Sequence, residues 1–243
     1  MKEEVADRIN RLCASPTLYL ERFRKLNKWT GPSEYFHGKT LDRLESLENP
    51  LAAIHDRQYQ EYLYATLCAW GLHRMGGEAV RLVEFGKFCQ ELEALCPELD
   101  GLQSLHVDEI ALQDIVPTAD CLWRLMDRMR LRPMNKPYLV VASKALHHLL
   151  PELVVPIDGG YTAPFFEWRR DELLKRPRDM FFEVFPLLVD IAKRIKPQVG
   201  AYIGRPFHKS LPKVIDNAIV GFMSKSGETT IEQNPIDLVS QII

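Results

Sequence analysis

Apolar residues recur at helical spacing along almost the whole chain, and strand signals are scarce. Leu153-Val154-Val155, bracketed by prolines, is a β-branched run outside the helical pattern, and it is too short to seed a sheet. Residues 2–13 place Val5, Ile9 and Leu12 on one face. A second helix is expected after Ser15-Pro16, a cap followed by proline at the first helical position, carrying Leu18, Leu20, Phe23 and Leu26 and ending near Trp29. Gly31-Pro32, Gly38 and Asn49-Pro50 predict short helices and loops over 30–56. A long central helix is expected over 58–75, since it is apolar on more than one face, and another over 78–95. Further helices fit 107–114, 119–130, 137–150, a start near Asp158, 178–195 and 209–224, before a polar tail from Ser226. The expected architecture is all-α, in two helical lobes, 1–115 and 116–243.

With 243 residues, 46% hydrophobic and 26% charged, the chain can bury a sizeable core and is not expected to be disordered. No apolar run approaches the roughly 18 residues needed to cross a bilayer. The opening MKEEVADRIN is charged and amphipathic, unlike a signal peptide. Cys13, Cys68, Cys89, Cys96 and Cys121 are an odd number without a C-x-x-C pair, which fits buried thiols rather than a disulfide frame or zinc site. An intracellular, cytoplasmic protein without membrane contact, metal or cofactor is the expectation.

The net charge of −2 hides an asymmetry. Residues 1–120 carry 13 Lys and Arg against 20 Asp and Glu; residues 121–243 carry 18 against 13. An acidic half joined to a basic half can mark a polyanion-binding face, or simply solvated helix surfaces. Arg128, Arg132 and Lys136 are the candidates for contact with a phosphate backbone, with further clusters at Arg169/Arg170 and Lys175/Arg176/Arg178.

The segment Leu139–Phe166, LVVASKALHHLLPELVVPIDGGYTAPFF, carries the chemistry. Lys144 lies in a helix of mostly apolar residues, where a lysine either snorkels to solvent or is held desolvated. Pro151 and Pro156 bracket an apolar link that should be buried and extended. Asp158 follows that link and precedes Gly159-Gly160-Tyr161-Thr162, where a carboxylate can cap a helix or face a developing positive charge. His147 and His148 fall three and four residues after Lys144, on its side of the helix, without metal-ligand spacing.

A lysine early in one helix, then a turn and Val155-Pro156-Ile157-Asp158, resembles the helix-hairpin-helix DNA glycosylase superfamily, in particular its 8-oxoguanine glycosylase-like members. Ser143-Lys144-x-Leu146-His147 and Pro156-Ile157-Asp158-x-x-Tyr161-Thr162 also resemble bacterial proteins assigned to that fold. The likeness covers about residues 139–166. It departs from the family in two respects. Arg132-Pro-Met-Asn-Lys-Pro137 stands where the Leu-Pro-Gly-Val-Gly hairpin would precede the lysine, and the Lys-to-Asp separation of 14 residues is several shorter than usual.

The resemblance implies an enzyme that removes a damaged or modified base from double-stranded DNA, in repair or in defence. Asp158 would stabilise oxocarbenium character on the sugar, and Lys144, once deprotonated, would attack C1′ to form a Schiff base. A flipped base needs an aromatic pocket, for which Tyr161, Phe165, Phe166 and Trp168 are candidates, with Trp29, Tyr35 and Phe36 from the other lobe. The alternatives left open are a Lys144–Asp158 ion pair or cap with only structural value, and a helical module that binds nucleic acid or protein without chemistry.

Overall fold

A computed structural model describes residues 3–26, 30–47, 49–73, 81–95, 99, 101–133, 139–169 and 172–224. They form twelve α-helices, and no strand occurs among the described residues. An isolated bridge joins Arg205 and His208.

Helices α1 (Glu3–Ala14) and α2 (Pro16–Leu26) form where expected and bury Val5, Ile9, Leu12, Leu20 and Phe23, but Leu18 is exposed and Tyr19 is buried in its place. Helix α3 (Pro32–Leu47) is longer than the glycines and prolines suggest. It runs straight through Gly38, where a side chain would meet nothing within 4 Å. An open helical glycine costs only about 1 kcal/mol of propensity, which tertiary packing overrides. Asn49 caps the short α4 (Pro50–Ala53), and Asp56 caps α5 (Arg57–Leu67).

The expected 58–75 helix changes character after Leu67. Cys68–Leu72 is a π-helical turn in which Gly71 adopts φ 77°, so the α-helix ends earlier than the apolar pattern does. Helix α6 (Phe85–Glu93) is also shorter than the 78–95 expectation. Leu112–Asp114 is a 3-10 turn leading into α7 (Ile115–Arg128).

Helix α8 (Leu139–Leu149) is the centre of the molecule, with every residue buried. It contacts α3, α5 and α7. The helix expected at Asp158 is instead a turn followed by the short α9 (Thr162–Phe165). Then come α10 (Glu172–Lys175), α11 (Pro177–Val199) and α12 (Leu211–Met223).

Helices α2 and α12, from opposite ends of the chain, share the most extensive helix–helix contact among the described residues. Gly221 permits it: a Cβ there would lie 1.9 Å from the Tyr19 carbonyl oxygen. One apolar cluster runs from Val5 in α1 to Ile219 in α12. No helix among the described residues is long and apolar enough to cross a membrane.

Candidate active site

The apolar link after α8 doubles back along that helix. Two side chains of α8 hold it: His147 Nδ1–H donates to the Val154 carbonyl at 2.7 Å, and the Ile157 N–H donates to Ser143 Oγ at 3.0 Å. Leu153, Val154, Val155 and Ile157 are all buried, as an extended link across a core requires. The reversal brings Asp158 back beside Lys144, fourteen residues earlier.

The Lys144 ammonium donates to Asp158 Oδ2 at 2.8 Å. Its side chain is 9% exposed, that of Asp158 28%. The carboxylate is held from both ends, because Gly160 N–H donates to Oδ1 at 2.7 Å. Thr162 Oγ1 accepts the Asp158 N–H at 2.9 Å, which fixes the turn. Burial alone would raise the Asp158 carboxyl, but the Lys144 ammonium and the turn N–H groups outweigh it and hold the acid below its ordinary range. A lysine beside a partly exposed, ionised carboxylate has a proton acceptor within reach, and the carboxylate can face a positive charge that develops nearby.

A second ion pair completes the site. In α12 the Lys213 ammonium lies 2.5 Å from Asp216 Oδ2, and both side chains are buried. Burial pushes Lys213 down and Asp216 up, each towards its neutral form, while their mutual attraction opposes the change. Each member also feels the charges of Lys144 and Asp158. Trp70 stands between the pairs, with Lys144 Nζ 5.6 Å and Lys213 Nζ 4.7 Å from its ring centroid. The π turn presents this indole, and its Nε1–H is held by the Ser33 carbonyl at 3.3 Å.

Behind the pairs lie three buried imidazoles whose protons the geometry assigns. His148 Nδ1 faces the Lys144 carbonyl at 2.8 Å, so it donates, and Nε2 accepts from His37 Nδ1–H at 3.0 Å. His37 Nε2 and His147 Nε2 are buried lone pairs with no partner. Burial is the main reason all three stay neutral, with His148 held at about 4. Their bonds point to different carbonyls and to one another. No group of three or more His, Cys, Asp and Glu among the described residues is arranged to hold a metal ion.

The other sequence candidates separate by burial. Tyr161 is half-buried against Phe23, Phe207 and Val220, close enough to Asp158 for the carboxylate to help raise its phenol, after burial. Phe165 has no exposed surface and packs on Phe166 and Phe222, so it is core. Trp168 packs on Phe166 at the core edge. Tyr35 is exposed, with Lys39 over its ring, and Phe36 sits edge-on to it. Arg128 is exposed at the end of α7, and Arg132 is half-buried beyond it. Trp29, Lys136 and Arg170 lie outside the described residues.

His37, Trp70, Lys213 and Asp216 were not singled out by sequence reasoning. Lys213 and Asp216 carry the same signal as Lys144, charged residues within the apolar run LPKVIDNAIV. The comparisons with known proteins add no neighbour: no family model matches the chain, and neither does any curated protein or solved structure.

Proposed function

We propose that this chain is a DNA glycosylase-like enzyme that excises a damaged or modified base, with Asp158 as the catalytic carboxylate and Lys144 as the amine nucleophile. The observation that carries this reading is the 2.8 Å Lys144–Asp158 pair, formed where a buried helix and an extended link converge. In the proposed step the Lys144 amine, having passed its proton to water, attacks the sugar C1′. The N-glycosidic bond breaks as the new C–N bond forms, and the base leaves with the bonding electrons and is protonated. Ring opening then gives an imine between C1′ and Nζ. Asp158 stabilises the positive charge that grows on the sugar as the bond breaks. The exposed Arg128 and the nearby Arg132 are proposed to meet the phosphate backbone.

One observation favours a second reading, a module of the same fold that binds without chemistry. Both Asp158 oxygens are already engaged, one by Lys144 and one by the Gly160 N–H, as a purely structural tie would have them. Base release from a panel of modified-base duplexes, with Asp158→Asn beside the wild type, separates the two. The enzyme reading expects release by the wild type and little by the variant at unchanged DNA affinity. A non-catalytic module releases nothing from any duplex.

A further inference from the structure

Lys213 is a buried amine that the proposed excision does not use, and its surroundings are those of a reactive one. Its ammonium nitrogen sits 4.7 Å from the ring centroids of both Trp70 and Phe207, which are 6.5 Å apart. His37 closes a third side, with its ring centroid 5.4 Å from each of the other two. The one carboxylate that bonds the amine is Asp216, at 2.5 Å. Burial moves the lysine down and the acid up, so each approaches its neutral form. A desolvated lysine beside a carboxyl that can exchange its proton is a general way to make an amine nucleophilic at neutral pH.

The Phe207 ring stands between this amine and a surface pocket of about 320 Å³. The pocket opens between α2 and the segment 202–208, and Leu20, Phe23, Pro206 and Phe207 are among its walls. One ring thus belongs both to the pocket wall and to the aromatic box around Lys213. The backbone behind that ring is strained. Phe207 adopts φ 59°, a conformation that favours glycine, in a turn closed by the His208 N–H on the Arg205 carbonyl at 2.9 Å. Two contacts hold it there: Asn217 Nδ2 donates to its carbonyl at 2.6 Å, and its ring stacks on Phe23 with centroids 5.8 Å apart. Neither is covalent, and releasing them relieves the strain while freeing the ring to move off Lys213.

We infer that Lys213 is a masked amine that condenses with a small uncharged aldehyde entering from this pocket, with Phe207 as its cover and Asp216 as its proton partner. In that step the Lys213 ammonium gives one proton to Asp216, and the free amine attacks the carbonyl carbon. A C–N bond forms, and a proton moves from nitrogen to the carbonyl oxygen, giving a hydroxyl. Asp216 then returns its proton to that hydroxyl, which leaves as water, and the iminium that remains pairs with the Asp216 carboxylate. One water is lost, and nothing is oxidised or reduced. The pocket is near the lower bound of about 300 Å³ for small-molecule sites, which suits a small ligand. Neither Lys144 nor Asp158 reacts in this step, so it stands or falls apart from base excision.

The test is incubation of the full chain with propanal and cyanoborohydride at neutral pH, with each propylated lysine located by peptide mass spectrometry and Lys144 scored separately. In the wild type, Lys213 should be modified at least tenfold faster than Lys25, an exposed lysine of α2. Phe207→Gly, which removes both the cover and the strain, should raise the Lys213 rate severalfold further and leave Lys25 unchanged. These rates hold even if the wild type releases no base from any duplex. Modification of wild-type Lys213 no faster than Lys25 overturns the inference, whether or not the variant folds. Modification confined to Phe207→Gly also overturns it, because the ring would then seal the amine permanently. Equal Lys213 rates in the wild type and the variant overturn the role of Phe207 as cover.

Discussion

The Lys213 ammonium and the Asp216 carboxylate lie one helical turn apart in α12, 2.5 Å from each other, with side chains only 5% and 9% exposed. Neither charge can turn to water, so the pair exists only as a pair. Removing one partner should cost far more than replacing both, because the survivor is a buried charge without compensation. Asp216→Ala should lower stability by about 3–5 kcal/mol in urea unfolding. The double change Lys213→Met with Asp216→Leu should recover most of that. A loss below about 1 kcal/mol for Asp216→Ala contradicts a pair so completely buried.

The buried histidines make stability depend on acid. His37, His147, His148 and His208 all have folded values below 6.5, the last two at about 4. Between about 4 and 6.5 the unfolded chain binds more protons than the folded one, so stability falls as pH falls through that window. Asp216 and Glu152, both raised by burial, oppose the trend wherever their folded forms take up a proton first. Each histidine contributes up to about 1.4 kcal/mol per pH unit, and four outweigh two carboxyls. Unfolding by urea at pH 7.5, 6 and 5 should show a steep decline, made shallower by His208→Gln. A flat profile would mean these imidazoles are not held neutral.

Gly221 is the tightest point between α2 and α12. A methyl group there would meet the Tyr19 carbonyl oxygen and carbon at 1.9 and 2.8 Å, and backbone cannot give way as a side-chain tip can. Gly221→Ala should therefore cost about 3 kcal/mol or more, at the upper end for overpacking. Gly38→Ala, with open space at its Cβ, should instead stabilise α3 by up to about 1 kcal/mol. Thermal melts of the two variants shifting by the same amount and sign would refute the α2–α12 contact.

Binding to DNA, if Arg128 and Arg132 meet phosphates, should weaken steeply with salt. Each neutralised phosphate contributes about 0.9 to the slope of log affinity against log salt. Reversing both charges should reduce that slope by about 2, whereas reversing Arg22 and Arg24 should leave it unchanged. Arg24 is already committed to Glu21, and Arg22 lies over Tyr19. Equal effects from both pairs, or salt-insensitive binding, would remove Arg128 and Arg132 from any phosphate contact.

Local chemistry in the chain predicts local structure well and long-range convergence poorly. The apolar helix around Lys144 and the proline-bracketed link to Asp158 are legible because they lie within one short segment. The distance between the two side chains follows once the link doubles back. Lys213 carried the same signal in its own apolar helix, but nothing in its spacing connects it to Trp70, which lies in a distant helix. That meeting depends on how α5, α8 and α12 pack. The helix through Gly38 and the π turn at Cys68–Leu72 went unread for a related reason: tertiary burial overrode a weak breaker in one, and the 3.6-residue pattern hid a one-residue slip in the other.

The measurement closest to the central claim is borohydride trapping of the full chain on modified-base duplexes, with base release followed in parallel. The wild type should release a base and leave a covalent, reduced protein–DNA product. Lys144→Gln should leave none, and Asp158→Asn should lose most base release while binding DNA as before. A trapped product from Lys144→Gln, or wild-type release by Asp158→Asn, would contradict the roles proposed for the pair.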